Sequence, residues 1–295
     1  RGNIMLTYLI NGLTLGSVYA LAAVGYSTVF GTLRLINFAH STVYAFGSIM
    51  SWVALGVFNW PVLPSIVFAM AASAVLNCLI NILSLAPIRK KQGVGISAMV
   101  ATIGVSFMIQ SILEIIFGSE YKRFPSFFDF GRVEFGDYSL GSQQLIITGV
   151  ALLMMVVLIF IIQKTPAGLE MRAVEQNSKA AKICGVKVNS VISLAFILAG
   201  ASAAIAGALI GGYYQMVSPS MGSMTGLKAF AAAVLGGIGS VPGAIIGGLV
   251  IGCCEIFGTA LIGGEITDSI PFIILFLVLM IKPTGFFGKT TITKV

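Results

Sequence analysis

Residues 243–262, GAIIGGLVIGCCEIFGTALI, decide the fold of this chain. This stretch of 20 residues holds one charged side chain, Glu255, and about 20 apolar residues are what a helix needs to cross the hydrocarbon core of a bilayer. Gly243 and Gly247 are four residues apart, as are Gly248 and Gly252. Residues at this spacing share one helix face, where glycine lets another backbone approach closely. The stretch therefore predicts a membrane-spanning helix packed tightly against a neighbour.

The rest of the chain repeats this pattern, because ionisable residues divide it into nine apolar segments. The seventh and the last are short for a full crossing, and half-helices or re-entrant segments are tolerated only inside protein or beside a wet cavity. We expect an all-α polytopic membrane protein with eight or nine transmembrane helices, some of them broken or half-helices. The segments lie near residues 6–31, 42–58, 63–86, 96–117, 143–163, 190–214, 227–241, 243–262 and 269–281.

The composition agrees with a membrane protein. Only 9% of the 295 residues are charged and 57% are apolar, against roughly 25% charged residues in soluble domains. This balance excludes a soluble globular enzyme, a disordered chain and a disulfide scaffold. The net charge is +7, but the basic residues fall in short patches between apolar segments, which is typical of membrane orientation signals and not of nucleic-acid binding.

The loops predict how the bundle is oriented. The loop 164–188 and the cluster at 89–91 are basic, as is the tail with Lys282, Lys289 and Lys294, so all three should be cytoplasmic. The loop 118–142 has three basic and four acidic residues, net −1, and should face outward. An even number of crossings would put the N-terminus inside and nine would put it outside. No linker divides the chain, so residues 1–295 are expected to form a single integral membrane domain.

Ionisable residues within apolar segments are functional candidates, because a charge inside a bilayer is expensive. Glu255 is the deepest, and its sequence position fits either the lining of a path or the pairing of two helices. Glu114 and Lys228 lie near the ends of their segments, so we expect them to extend to the interface. His40 is the only histidine; a single histidine cannot build a metal site, which leaves a hydrogen-bonded structural role or a proton relay.

The stretch 236–243, GGIGSVPG, should break a helix, because it holds Gly236, Gly237, Gly239 and Pro242. Two interpretations stay open from composition alone. It is either a helix broken at membrane depth, beside a substrate path, or a tight loop between two spans.

The loop after the fifth segment predicts a short helix from about Leu169 to Cys184, with Gly185 as its C-cap. Its apolar stripe would pack on lipid or in a groove of a partner, and the mixed charges of the helix favour a protein partner. The stripe consists of Met171, Val174, Ala181 and Cys184.

The same loop resembles the coupling loop of bacterial ABC importer permeases, specifically the branched-chain amino acid permeases of the LivH type. The similar pattern is Gly168-x-x-x-Arg172-Ala173, then Asn177, Ala180-Ala181 and Gly185-Val186. Four further stretches resemble that family in the expected order: residues 11–21, the INFAH sequence at 36–40, the glycine-rich segment 228–243 and Pro283-Thr284-Gly285. The departures are Ser41, where the family usually has Gly, and Val186, where it usually has Ile.

The resemblance implies a permease that pairs with a similar but non-identical permease in the bacterial cytoplasmic membrane. Two cytoplasmic ATPases would use ATP and Mg and dock on the coupling loop, and an extracytoplasmic binding protein would deliver leucine, isoleucine, valine or a close hydrophobic amino acid. The chain itself shows no enzyme motif, so we expect no catalysis, metal or cofactor in it. The implied coupling residues are Gly168, Glu170, Arg172, Ala173, Asn177, Ala180, Ala181 and Gly185. The candidates for a translocation path or gate are Asn37, His40, Gly236, Gly237, Gly239 and Glu255.

Three alternatives compete with this hypothesis. The same machinery could carry urea, short amides or another small solute. A stand-alone channel or ion-coupled carrier would need paired acids in the membrane, which the sequence does not show. A non-transporting scaffold or membrane enzyme has no motif in its favour.

Overall fold

The computed structural model describes residues 2–91, 95–126, 131–135 and 138–288, and this part of the chain is mostly helical. The helices are α1 Gly2–Leu33, α2 His40–Trp52, α3 Val62–Ile80, α4 Ala86–Lys90, α5 Gly95–Phe117, α6 Ser142–Lys164, α7 Pro166–Gln176, α8 Ser178–Ile183, α9 Val188–Tyr214, α10 Met221–Gly236, α11 Val241–Ile262 and α12 Ile270–Ile281. A π-helical turn, Val53–Val57, extends α2, and a second, Asn81–Leu85, joins α3 to α4. A 3-10 turn, Gly264–Ile266, follows α11.

The all-α prediction is confirmed. Each of the nine apolar segments is mostly helical, and within the described residues six helices are long and apolar enough to cross a membrane. The other three are α2, α10 and α12, which have 13, 16 and 12 residues. The seventh and last segments are therefore short, as the sequence predicts.

The glycine stripes pack α11 against α1. These two helices run antiparallel, and a Cβ added to Gly12 would lie 2.8 Å from Cys253 Cα, while one added to Gly16 would lie 2.9 Å from Leu249 Cα. On the other side of the interface, a Cβ on Gly252 would overlap the backbone of Gly16. The tight packing predicted from the four-residue spacing is therefore present, with backbone in contact with backbone.

The bundle has two chemically different ends. At one end, α1 finishes near the loop 164–188, since a Cβ on Gly31 would lie 3.8 Å from Glu175 Oε2. We call this the basic end. At the opposite end, the Gln144 amide at the start of α6 donates to Asn11 Oδ1 at 2.7 Å. If the basic end faces the cytoplasm, as the positive-inside rule predicts, the start of α1 faces outward.

Short strands close the opposite end. Strand β1, Lys122–Arg123, pairs antiparallel with β4, Met216–Val217, and β2, Arg132–Phe135, pairs with β3, Tyr138–Gly141. They belong to the predicted outward-facing loop 118–142 and to the turn after α9. The acidic residues Asp129 and Asp137, and the tail residues Lys289 and Lys294, lie outside the described residues.

Candidate functional site

The predicted coupling helix over 169–184 is two helices in the structure, so the single-helix prediction is wrong. Asn177 separates α7 from α8 with extended backbone angles, φ −158° and ψ 102°. Its Oδ1 accepts hydrogen bonds from the backbone amides of Lys179 and Ala180, both at 3.0 Å. Asparagine is favoured at this N-cap position over a helix interior, because its side chain satisfies amides that the new helix leaves unpaired.

The apolar stripe of this loop is covered by the chain's own bundle. Met171, Val174 and Ala181 are 4%, 4% and 5% exposed and pack in one cluster with Val191 and Ala195 of α9. The expectation that this stripe packs on lipid or in a partner's groove is therefore wrong. The fourth predicted member, Cys184, is exposed instead of buried.

Two of the predicted coupling residues fix the corner between α6 and α7. The Arg172 guanidinium donates a hydrogen bond to the Ile162 carbonyl, which is one of the orphan carbonyls at the end of α6. A Cβ on Gly168 would overlap the same carbonyl, so this corner needs glycine. Arg172 and Gly168 thus hold the loop in place from within, and they do not form its outer surface.

The outer surface of the loop is formed by other members of the predicted set. Gly185 ends α8 with φ +88°, a conformation that glycine adopts without strain. Two large apolar side chains on this surface, Leu169 at 60% and Ile183 at 87% exposed, are not among the predicted coupling residues. Neither belongs to the buried stripe, so their helical spacing from it is the signal that could have identified them. The predicted residues on this surface are Glu170, Asn177, Ala180 and Gly185, whereas Ala173 is half-buried and Ala181 is covered.

A cluster of charged side chains lies inside the bundle. Lys228 Nζ of α10 lies 2.7 Å from Glu255 Oε1 of α11 and 2.7 Å from Asp268 Oδ1, in the turn before α12. Lys228 and Glu255 are 5% and 1% exposed, whereas the Asp268 side chain is 62% exposed. Lys228 lies within α10, which begins at Met221, and its side chain is covered by protein. Its ammonium reaches the exposed Asp268, and the expectation that it extends to the membrane interface stays a prediction.

This ion-pair cluster has acceptor capacity to spare. The Tyr19 hydroxyl donates to Glu255 Oε1 at 3.4 Å, but the buried Glu255 Oε2 has no hydrogen-bond partner among the described residues. One lysine against two carboxylates also leaves the cluster with a formal charge of −1. Burying charges costs several kcal/mol per ion unless they are well paired, so the unused oxygen marks a place where a further donor could bind.

The predicted path residues Asn37 and His40 form a buried turn at the start of α2. Asn37 Oδ1 accepts from the Ala39 amide at 3.1 Å, and the His40 ring packs edge-on to Tyr26 with centroids 4.4 Å apart. A Cβ on Gly25 would lie 2.6 Å from His40 Nε2, so glycine makes room for the imidazole. These contacts position the turn, and a role of either residue in a path stays a prediction.

The glycine-rich stretch 236–243 is a tight turn between two helices, which is one of the two interpretations that the sequence leaves open. Helix α10 ends at Gly236, Gly237 and Gly239 have φ of +98° and +90°, and Ser240 Oγ accepts from the Gly243 amide at 3.2 Å. The turn lies at the basic end, where Gly239 approaches Gly31.

A C-terminal segment completes this turn. We call residues 282–288 the C-terminal clasp. Its Phe286 and Phe287 amides donate to the carbonyls of Leu235 and Gly236, both at 2.9 Å. These are carbonyls that the end of α10 would otherwise leave unpaired, so the clasp satisfies them.

No group of three or more His, Cys, Asp or Glu side chains that could hold a metal occurs within the described residues.

The apolar helices, the glycine-mediated contacts between them and the loop docked at the basic end define a multi-pass helical membrane protein. A family model described as "Branched-chain amino acid transport system / permease component" matches residues 8–279. The chain belongs to this family of membrane permeases.

Curated relatives match along nearly the whole chain. It is 36% identical to the "High-affinity branched-chain amino acid transport system permease protein LivH" of Escherichia coli (strain K12), covering 98% of this chain and 97% of the relative. It is 35% identical to the BraD protein of Pseudomonas aeruginosa, which has the same description, covering 98% of both. A "Probable branched-chain amino acid transport permease protein LivH" of Methanocaldococcus jannaschii is 28% identical, covering 92% of this chain and 89% of the relative.

Proposed function

We propose that this chain is the transmembrane permease subunit of an ATP-driven importer of branched-chain amino acids, placed in the cytoplasmic membrane. The observation that carries the proposal is the 36% identity over 98% of the chain to a high-affinity branched-chain amino acid permease. The partners are a second homologous permease, two cytoplasmic ATPases that use ATP and Mg, and an extracytoplasmic binding protein. The chain is a transport subunit and not an enzyme.

The outer surface of α7 and α8 is the proposed docking surface for an ATPase. It combines the exposed apolar residues Leu169 and Ile183 with charged residues such as Glu170 and Lys179. The buried stripe and Arg172 fasten the same helices to α6 and α9. A push on the docking surface would therefore pass directly into two membrane-spanning helices, which is what coupling between two distant sites requires.

The ion-pair cluster is the proposed contact for the charged end of the solute. A branched-chain amino acid has an apolar side chain, an ammonium and a carboxylate, so its path needs apolar walls and few charges. Among the buried side chains described, Lys228 and Glu255 provide one group of each sign, and Glu255 Oε2 is free to accept from an ammonium. Backbone groups at 236–243 are a less well supported contact for these charged ends, because several of them are occupied by the turn and the clasp.

Reconstitution tests the function directly. The chain is co-expressed with the proposed second permease and ATPases from the same organism, purified as a complex and placed in liposomes with the proposed binding protein. ATP-dependent uptake of leucine, isoleucine and valine is expected, and excess unlabelled urea or acetamide should not compete. Uptake of urea but not leucine would replace the solute, and uptake without ATPases would replace the mechanism with a stand-alone carrier.

A further inference from the structure

A cavity of about 760 Å³ lies at the basic end, between the coupling helices and the membrane-spanning bundle. Its walls come from the end of α1, the π-helical turn with α4, the residues around the α7–α8 break and the start of α9. This volume falls in the range of small-molecule sites, about 300–1,000 Å³. The contacts that position the coupling loop do not account for it, and the proposed solute contact lies elsewhere, at Lys228 and Glu255.

The cavity is strongly basic. Four basic side chains and one acidic side chain line it, which gives a formal charge of +3. Arg89 Nη1 is buried and has no hydrogen-bond partner among the described residues. Helix α9, which is 27 residues long, starts in the wall without a side-chain cap, and such helix ends favour anions. The charged lining residues are Arg34, Arg89, Lys90, Lys179 and Glu175.

One wall offers an acceptor and an apolar edge beside these cations. Asn81 is 2% exposed, and its Oδ1 is buried without a partner in the described part of the chain, while its amide donates to Ser193 Oγ at 3.4 Å. Ile82 lines the same cavity and is 51% exposed on a membrane-spanning segment. A ligand that suits the cavity therefore has an anionic group, a hydroxyl donor and an apolar portion.

We propose that this cavity binds the headgroup of an anionic phospholipid with a hydroxylated headgroup, of the phosphatidylglycerol type. The phosphate contacts Arg89 and the start of α9, a headgroup hydroxyl donates to Asn81 Oδ1, and an acyl chain follows Ile82. Basic pockets between membrane helices on the cytoplasmic side suit such headgroups. Because the walls include both α4 and the α7–α8 break, a bound lipid would bridge the bundle and the coupling helices. The proposal does not depend on the solute or on ATP.

Lipid retention tests the site. The full chain, purified with its accompanying subunits, is placed in nanodiscs of phosphatidylcholine with or without phosphatidylglycerol, and retained lipid is counted by native mass spectrometry. The original chain should retain phosphatidylglycerol in preference to phosphatidylcholine. Arg89→Gln should lower this retention about tenfold, the effect of losing one charge-assisted hydrogen bond, and Arg89→Lys should restore part of it. Lys91→Gln is the matched control, because Lys91 is exposed nearby but does not line the cavity.

Two further arms keep the test decisive. Lys179→Gln, on the exposed surface of α8, should also reduce retention, and it tests the opposite wall if Arg89→Gln fails to assemble. Millimolar inorganic phosphate is added to the phosphatidylglycerol nanodiscs. The proposal is overturned by equal losses in Arg89→Gln and Lys91→Gln, which would mean general surface attraction, or by full displacement with phosphate, which would mean a site for a free anion. Absence of retained phosphatidylglycerol would overturn it as well.

Discussion

Helices α11 and α5 are both long and apolar enough to cross a membrane, yet they face different surroundings. On α11, Gly248 and Gly252 contact the backbone of α1, so that an added Cβ has no room. On α5, Gly104 has nothing within 4 Å of the place where a Cβ would be, and Ile115 is 84% exposed. Within a bilayer, lipid is as apolar as the protein interior. Small residues and hydrogen-bonding side chains on a helix, and not its mean hydropathy, therefore decide whether it is buried.

The largest effect is expected from breaking the α1–α11 contact. Gly252→Leu would drive a side chain into the backbone of Gly16, and backbone cannot move aside as a flexible side chain can. We expect loss of the assembled protein, measured by fluorescence-detected size-exclusion chromatography. Gly104→Leu on α5 is the matched control and should assemble normally. Normal assembly of Gly252→Leu would show that the two helices do not pack as described.

Removing one member of the ion-pair cluster should have the next largest effect, a fall in the free energy of unfolding. Lys228→Met leaves Glu255 buried and unpaired, and breaking a buried pair costs about 3–5 kcal/mol. The free energy of unfolding in detergent should fall accordingly. The double variant Lys228→Met/Glu255→Leu should recover most of that stability, since apolar replacement of both partners is often neutral.

The same double variant separates structure from function. If the cluster contacts the solute, the stable double variant should fail to take up leucine in the reconstituted system. Normal uptake would mean that the pair only joins α10 and α11. Asp268→Asn, at an exposed position, provides the milder comparison.

At the basic end, Arg172 fastens α7 to α6 from within, whereas Lys187 lies on the exposed surface of the same loop. Arg172→Glu loses the hydrogen bond to the Ile162 carbonyl and should cost about 1–3 kcal/mol of stability. Because it frees α7 from α6, it should also abolish the solute-stimulated part of the ATPase activity while the chain still inserts. Lys187→Glu, an exposed reversal of charge in the same loop, is the control. Unchanged stimulation in Arg172→Glu would contradict the positioning role.

The smallest effect should come from the lipid-facing side. A Cβ on Gly149 of α6 would meet nothing within 4 Å, so Gly149→Ala only improves helix propensity, by about 0.5–1 kcal/mol. A small rise in the thermal midpoint is expected. A clear loss of stability would mean that a partner, such as the second permease, covers this face.

The spans and the glycine stripes could be predicted because they depend on local pattern alone. The break at Asn177 could not, since the choice between helix interior and N-cap depends on how the flanking apolar residues dock on α9. The seventh apolar segment begins at 227, whereas α10 begins six residues earlier, at Met221. Its first turns are polar and rich in glycine, and they are helical because Gly222 and Gly226 pack against Ser41 of α2.

The same limit explains the candidate site. The single charges of each sign in the seventh and eighth segments were visible in the sequence, but the pairing of Lys228 with Glu255 needs the relative register of α10 and α11. Asp268 and Tyr19 joined the cluster from parts of the chain that have no pattern linking them to it. Likewise, the role of Gly25 depends on how the middle of α1 packs against His40 at the start of α2.

The C-terminal clasp has a consequence for the order in which the protein is made. The carbonyls of Leu235 and Gly236 receive their hydrogen bonds from Phe286 and Phe287, which leave the ribosome about 50 residues later. During synthesis, the α10–α11 hairpin therefore lacks the hydrogen bonds to these two carbonyls until α12 and the clasp have been made. The contact between the clasp and the end of α10 is therefore among the last to form, and a chain interrupted before residue 286 would leave both carbonyls without these hydrogen bonds.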